Sequence, residues 1–227
     1  MFKNICIIPL RSKSKEIKNK NIKQIKGLPL CMYVLKTAVK ANIFSEIVIA
    51  SDSKKYFQII RKFSKKLNLD IKNVSFFKRS KKSSTNFSPT EEVIKEVLEE
   101  KKSFNFCFLI QATSPLLNKN DLKEGLKLLS NNKCDSLFSS YLTNKFFWKK
   151  LGEKILSVNY NFKSRPMRQN FSGNFVENGA FYAFSVKKFF KKKNRLFHRI
   201  STVVMPHERS IDIDTDNDFI KLKELIK

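Results

Sequence analysis

Glycine, tryptophan, histidine and acidic residues are all scarce in this chain. It holds five glycines, one tryptophan, two histidines and 20 Asp plus Glu in 227 residues. Neither a Walker motif nor a Gly-rich dinucleotide fingerprint is present, which sets aside the two commonest phosphate loops. The two histidines, His198 and His207, form no Ser/His/Asp or Cys/His arrangement and read as surface or packing residues. Cys6, Cys31, Cys107 and Cys134 lie far apart with no CxxC spacing, so a zinc site is not indicated. Each sits among apolar neighbours as a small hydrophobe, a pattern that fits a reducing compartment. The N-terminus lacks the basic region and long apolar stretch of a signal peptide. The longest uncharged run, residues 103–118, is too short and too polar to span a bilayer. A cytoplasmic protein with no membrane partner is expected.

Against those absences stand 46 Lys plus Arg, a formal net charge of +26 and a hydrophobic fraction of 41%. The apolar content supports a buried core, and the length suits one α/β domain. A positive field of this size attracts polyanions. The lysines are spread along the chain, and no zinc-finger or RNA-recognition signature accompanies them. Nucleic acid is therefore not the expected partner; a phosphate-bearing substrate would exploit the same field.

Hydrophobic patterning predicts alternating strands and helices. Residues 5–10, 46–50, 74–77, 104–110, 136–141, 179–186 and 200–205 read as strands, with 104–110 at the centre of the sheet and 200–205 at an edge. Helices are predicted over 29–41, from the Ser51-Asp52-Ser53 turn through 67, after a Ser88 cap and Pro89, over 121–129, and over about 217–226. Residues 143–175 mix aromatics, glycine, proline and lysine, and read as an inserted substrate or dimerisation element of short strands within a single domain spanning 1–227. Alternation of this kind predicts a three-layer α/β/α sandwich around a mostly parallel, Rossmann-like sheet. Ligands of such sheets bind beyond the C-terminal strand ends. That rule draws the segments at Arg11, Ser51, Arg79, Gln111 and Asn178 toward one crevice.

Four segments could carry chemistry. Arg11-Ser12-Lys13-Ser14-Lys15 and Lys20-Asn21 place cations and hydroxyls after the first strand, suited to a triphosphate but equally to a solvated basic loop. Arg79, Ser83, Ser84 and Thr85 form a second polar loop that could read a base and ribose, or serve only as a surface loop with a cap. Gln111-Ala112-Thr113-Ser114-Pro115 follows the most apolar strand, where buried polar groups need water or a ligand. Asp212, Asp214, Asp216 and Asp218 fall within seven positions. In an extended segment Asp212 and Asp214 face the same side and invite a cation such as Mg²⁺ bridged to phosphate, while Asp216 or Asp218 caps the last helix.

The motifs IPLRSKSKEIKNKNIKQIKGLPL, SDS, KRSKKSSTNFSPT, LIQATSPLL, RQNF…FVENGAFYAF and RSIDIDTDNDF occur in this order. With these motifs the chain resembles the acylneuraminate cytidylyltransferases, the CMP-sialic acid synthetases and their legionaminic and pseudaminic acid relatives, over nearly its whole length. The resemblance implies a nucleotide-diphospho-sugar transferase fold and transfer of CMP from CTP to the anomeric hydroxyl of a nonulosonic acid, with Mg²⁺ as cofactor and pyrophosphate as product. It also implies a homodimer. By motif, Arg11 and Lys20 resemble the triphosphate contacts, with Lys15 beside them, and Asn21 a nucleotide contact. Arg79, Ser83 and Ser84 resemble the cytidine loop, and Gln111 and Tyr182 sugar-binding residues. Arg168 resembles an arginine supplied by the inserted element, and Asp212 and Asp214 the metal pair. The sequence departs from the family where Lys13 and Glu16 replace customary glycines, Ser80 and Ala112 replace common prolines, and Leu117 replaces a common arginine. Two alternatives stay in view: a CMP-Kdo, pseudaminic or legionaminic acid cytidylyltransferase, and, from the lost glycines and the charge, a weakened nucleotide- or nucleic-acid-binding homologue.

Overall fold

The computed structural model describes residues 2–12, 16–85, 87–101 and 103–226. In chain order the elements are β1 (Asn4–Leu10), β2 (Gln24–Ile25), β3 (Leu28–Pro29), α1 (Leu30–Ala41), β4 (Glu46–Ser51), α2 (Lys54–Lys66), β5 (Val74–Lys78) and α3 (Thr90–Glu100). Then follow β6 (Phe106–Ile110), α4 (Lys119–Ser130), β7 (Ser136–Thr143), β8 (Trp148–Leu151), β9 (Lys154–Ser157), β10 (Asn174–Ser185), α5 (Val186–Lys192), β11 (Ile200–Val204) and α6 (Asp216–Leu225).

Seven strands make the main sheet in the order β11-β7-β10-β6-β1-β4-β5. Only β10 runs against its neighbours β6 and β7; every other pairing is parallel. The most apolar strand, β6, is the fourth of the seven, the central place expected of it, and β11 is an edge. The chain winds outward from β1 through β4 to β5, then returns to lay β6 on the other side of β1. The strand order reverses there, and a crevice opens at such a reversal.

Alternate residues of β1 feed two cores. Cys6, Ile8 and Leu10 pack with α1, α2 and α4, including Leu35, Ile60 and Leu122. Ile5 and Ile7 pack with Val93, Ile94 and Val97 of α3 and Phe189 of α5. Period-two alternation thus puts helices on both faces, the expected three-layer α/β/α arrangement. A third cluster joins Ile25 and Leu30 to Ile213, Phe219 and Leu222, and seats α6 beside the β1–α1 connection.

Several boundaries shift. Helix α3 starts at Thr90 with Pro89 as N-cap, and the Ser88 hydroxyl instead donates to the Lys82 carbonyl. Ser53 precedes α2 without a capping side-chain bond, and Asp52 turns its carboxylate to Ser12. Strand β10 begins at Asn174, not 179, and β7 runs to Thr143, which leaves residues 144–173 as the connection between them. Its centre is the β8–β9 hairpin, followed by 3-10 turns at Phe162–Ser164 and Arg168–Asn170. Residues 211–214 join no strand ladder. Among the described residues no helix is long and apolar enough to cross a membrane.

Candidate active site

A crevice of about 340 Å³ lies at the strand-order reversal. Arg11 from the end of β1, Lys20 and Asn21 from the following 3-10 turn, Arg79 after β5, Gln111 after β6 and Asp214 before α6 all line it. Six sequence-predicted residues from five separate segments therefore meet, because each follows a parallel strand or borders the switch point. Asp212 neighbours this wall without lining the crevice. Lys15 lies outside the described residues. Arg168 falls in a 3-10 turn between β9 and β10, and its side chain is not among those described.

The loop after β1 is anchored from below. Asn21 donates to the Arg11 carbonyl at 3.0 Å, and the Ser12 amide and hydroxyl donate to Asp52 at 2.8 and 2.7 Å. Arg11 Nη1 donates to the Thr85 carbonyl at 3.0 Å, which ties this loop to the one after β5. Arg79 is 9% exposed and donates to the Ser83 carbonyl, and its buried Nε has no partner among the described residues. Burial lowers its pKa, with Arg11 adding to the effect against the pull of Asp52 and Glu96; a guanidinium nonetheless stays charged throughout the working range.

Ser83 and Ser84 do not line this crevice. Ser83 is fully buried and donates to Glu96 at 2.6 Å, whereas Ser84 borders an adjoining cavity with Asp52, Arg79, Ser80 and Thr85. Glu16, which replaces a customary glycine, does line the crevice, together with Thr113, Ser88 and Thr90. The described wall thus carries three cations and two carboxylates.

Three contacts fix the acidic segment. Ile213 is buried, its amide donates to the Thr113 carbonyl at 2.9 Å, and Arg209 grips Asp121 of α4 through Nη1 at 2.5 Å and Nη2 at 2.9 Å. Asp212 and Asp214 stand exposed on either side of Ile213. Asp218 caps α6 reciprocally with Thr215, as expected of one acid in the run. Asp214 accepts from Lys20 Nζ at 2.7 Å. Desolvation by the surrounding chain raises the Asp212 pKa first; Thr113 donates to it and opposes the shift, while the Asp214 charge adds to it. Asp214 on the crevice wall and Asp212 two positions before it are hard oxygen donors of the kind that suits Mg²⁺. That ion needs only one or two carboxylates when phosphates complete its shell. Among the described residues no cluster of three or more metal-ligating side chains exists.

Tyr182 sits beside this wall, 5% exposed, its ring in the α3 core and its hydroxyl donating to Glu177. Burial first and Glu177 second push its phenol well above the usual range. The β10 register breaks between Glu177 and Tyr182, and within the break Gly179 takes φ +70°. That conformation disfavours a side chain, so Gly179 lets the strand turn and brings the Ala180 carbonyl to the Gln111 amide at 3.0 Å. Sequence reasoning passed over Arg195, which lies 4.4 Å over the Tyr182 ring and pairs with Glu91 at 3.4 Å. It also passed over Glu96, and it gave no role to Arg209, the first residue of the RSIDIDTDNDF motif. All three touch neighbouring side chains and none lines the crevice.

The cytidylyltransferase family profile matches residues 5–226. The pseudaminic acid cytidylyltransferase of Campylobacter jejuni subsp. jejuni (strain 81-176) is 30% identical over 236 residues, covering 100% of this chain and 97% of that protein. The N-acylneuraminate cytidylyltransferase A of Danio rerio is also 30% identical, over 94% of this chain. The chain spans only 48% of that relative's length. Among solved structures, the 4-diphosphocytidyl-2C-methyl-D-erythritol synthase of Anaerococcus prevotii superposes with a TM-score of 0.72 at 13% identity, covering 99% of this chain and 96% of that one. A CMP:2-keto-3-deoxy-manno-octonic acid synthetase complexed with CTP gives a TM-score of 0.66 at 13% identity, covering 99% and 98%. Both share the fold. With the profile spanning nearly every residue and a full-length relative at 30% identity, the chain belongs to the cytidylyltransferases, a family of CTP-dependent nucleotidyltransferases.

Proposed function

We propose that this protein transfers CMP from CTP to the anomeric hydroxyl of a sialic-acid-like nonulosonic acid and releases pyrophosphate. The observation that carries the proposal is the convergence of Arg11, Lys20, Arg79, Gln111 and Asp214 on one crevice at the strand-order reversal. N-acylneuraminate is the first acceptor considered. Pseudaminic acid is a second, favoured by the named substrate of the full-length Campylobacter relative.

Catalysis rests on position and charge. Arg11 and Lys20, with Lys15 beside them, hold the triphosphate and stabilise the leaving pyrophosphate. Arg79 and the loop that carries Ser83 and Ser84 receive the cytidine, with Asn21 keeping the Arg11 loop in place. Gln111 and Tyr182 orient the sugar, and Arg168 of the insertion meets its carboxylate. Asp212 and Asp214 would hold Mg²⁺, which supplies neutralisation of charge on the α-phosphate. Lys20 bridges the two halves of the site, since it touches Asp214 in the free protein.

Incubation with CTP, Mg²⁺ and a panel of N-acylneuraminate, pseudaminic acid, legionaminic acid and Kdo tests the assignment by pyrophosphate release. Release with at least one nine-carbon acid is expected. No release with any acceptor sinks the activity, and release with Kdo alone moves the protein to that branch.

The active unit is proposed to be a homodimer. Trp148, Leu151, Ile155, Phe162 and Met167 of the insertion are all exposed, and a lone two-stranded hairpin with an open apolar face is marginal in water. Light scattering is expected to report twice the chain mass, and Leu151→Asp with Ile155→Asp should return the monomer mass. A monomeric wild type contradicts this.

A further inference from the structure

Glu96 lies on α3, away from the crevice wall, yet it gathers the loop that forms part of that wall. Its Oε2 accepts from the Ser83 hydroxyl at 2.6 Å and from the Ser80 amide at 3.4 Å, and its Oε1 accepts from the Ser80 hydroxyl. The loop then folds on itself. The Ser83 amide donates to Ser80 Oγ at 3.3 Å, Ser84 Oγ donates to the Ser80 carbonyl at 2.6 Å, and Arg79 donates to the Ser83 carbonyl. The end of the loop meets the other crevice wall, where Arg11 holds the Thr85 carbonyl. Burial pushes the Glu96 carboxyl up, but the bonds from Ser80 and Ser83 and the nearby Arg79 outweigh it and hold the group below its usual range. The ionised carboxylate is therefore the form this loop stabilises. Position 80 carries serine, which lacks a proline's fixed φ. A loop without the proline's fixed φ must be ordered by bonds from elsewhere.

We propose that Glu96 is a positioning residue for nucleotide recognition, clamping Ser80 and Ser83 so that Arg79 and residues 80–85 keep the shape that receives CTP. The inference rests on the function proposed above and adds to it a determinant outside the crevice wall. Glu96 touches no reacting atom. Its loss acts on CTP binding, because the loop must then be ordered by the ligand itself.

The test is steady-state turnover with CTP, Mg²⁺ and whichever acid the wild type accepts. Glu96→Ala is expected to raise KM for CTP about tenfold, the effect of losing hydrogen bonds to a charged group. The turnover number at saturating CTP should stay within about twofold, and KM for UTP should change less than KM for CTP. Glu96→Gln keeps an acceptor oxygen and should recover most of the loss. Ser80→Ala added to Glu96→Ala should cost little more, since both remove one interaction. If Glu96→Ala fails to fold, the near-isosteric Glu96→Gln still decides, with KM raised about threefold. An unaltered KM for CTP in a folded variant beside an active wild type overturns the inference and leaves the function standing. A wild type that turns over no CTP overturns both.

Discussion

Asp214→Ala is expected to reduce CMP-sugar formation at least about a thousandfold while the protein stays folded. The loss is that of a charged group facing the transition state. Asp214 is 60% exposed on its side chain and lies in no hydrophobic cluster, so the packing of Ile213 and Phe219 survives its removal. The Lys20 partner loses its ion pair but stands at a wet crevice, where such a pair contributes at most about 1 kcal/mol. Pyrophosphate release and circular dichroism on the same preparation separate the two effects. Turnover near that of the wild type sinks the metal assignment, and Lys20 then has to be read as paired with Asp214 for structural reasons alone.

The second large effect concerns stability and lies at the opposite end of the sheet. Asp135, just before β7, accepts from Lys188 and from Arg199 Nη2 at 3.2 Å. Hydrogen bonds from Arg199 first and Lys188 next hold its carboxyl well below the usual carboxylate range. Its side chain is only 9% exposed, yet it lies just beneath the surface, and both partners reach it from solvent. Solvent screening limits the contribution to at most about 1 kcal/mol. A depressed carboxyl pKa stabilises the fold above the unfolded value and loses that effect as pH falls through the folded value. Thermal melts from pH 7 down to pH 2 should therefore show Asp135→Asn less stable at neutral pH, with the gap to wild type closing in acid. A constant gap across that range shows that the pair does not carry the effect.

The departures from the family pattern acquire different meanings once placed in three dimensions. Glu16 lines the crevice itself, so its negative charge stands where a triphosphate is proposed to sit. Leu117 is buried and packs in the α1–α4 core, so the exchange of an arginine for leucine there is absorbed by packing. Ser80 becomes a hydrogen-bonding residue of the loop held by Glu96. One list of substitutions in the sequence thus divides into an electrostatic, a packing and a positioning change.

The sequence alone carried the three-layer fold, the central place of β6, the edge place of β11 and the family. Those features follow from local pattern: unbroken apolar runs for buried parallel strands, helical periodicity between them, and motifs at fixed distances. It also carried six residues of the crevice wall, because parallel strands must end on one side of the sheet. The tertiary structure decided the rest. Ser83 faces inward to Glu96, Asp52 turns from capping α2 to holding Ser12, and Tyr182 gives its hydroxyl to Glu177. Each of these depends on a partner from a distant part of the chain, and periodicity along one element carries no information about the neighbour a side chain will meet. The loop after β1 and the acidic run before α6 stand 194 positions apart at Lys20 and Asp214, and only the closing of the sheet brings them within 2.7 Å.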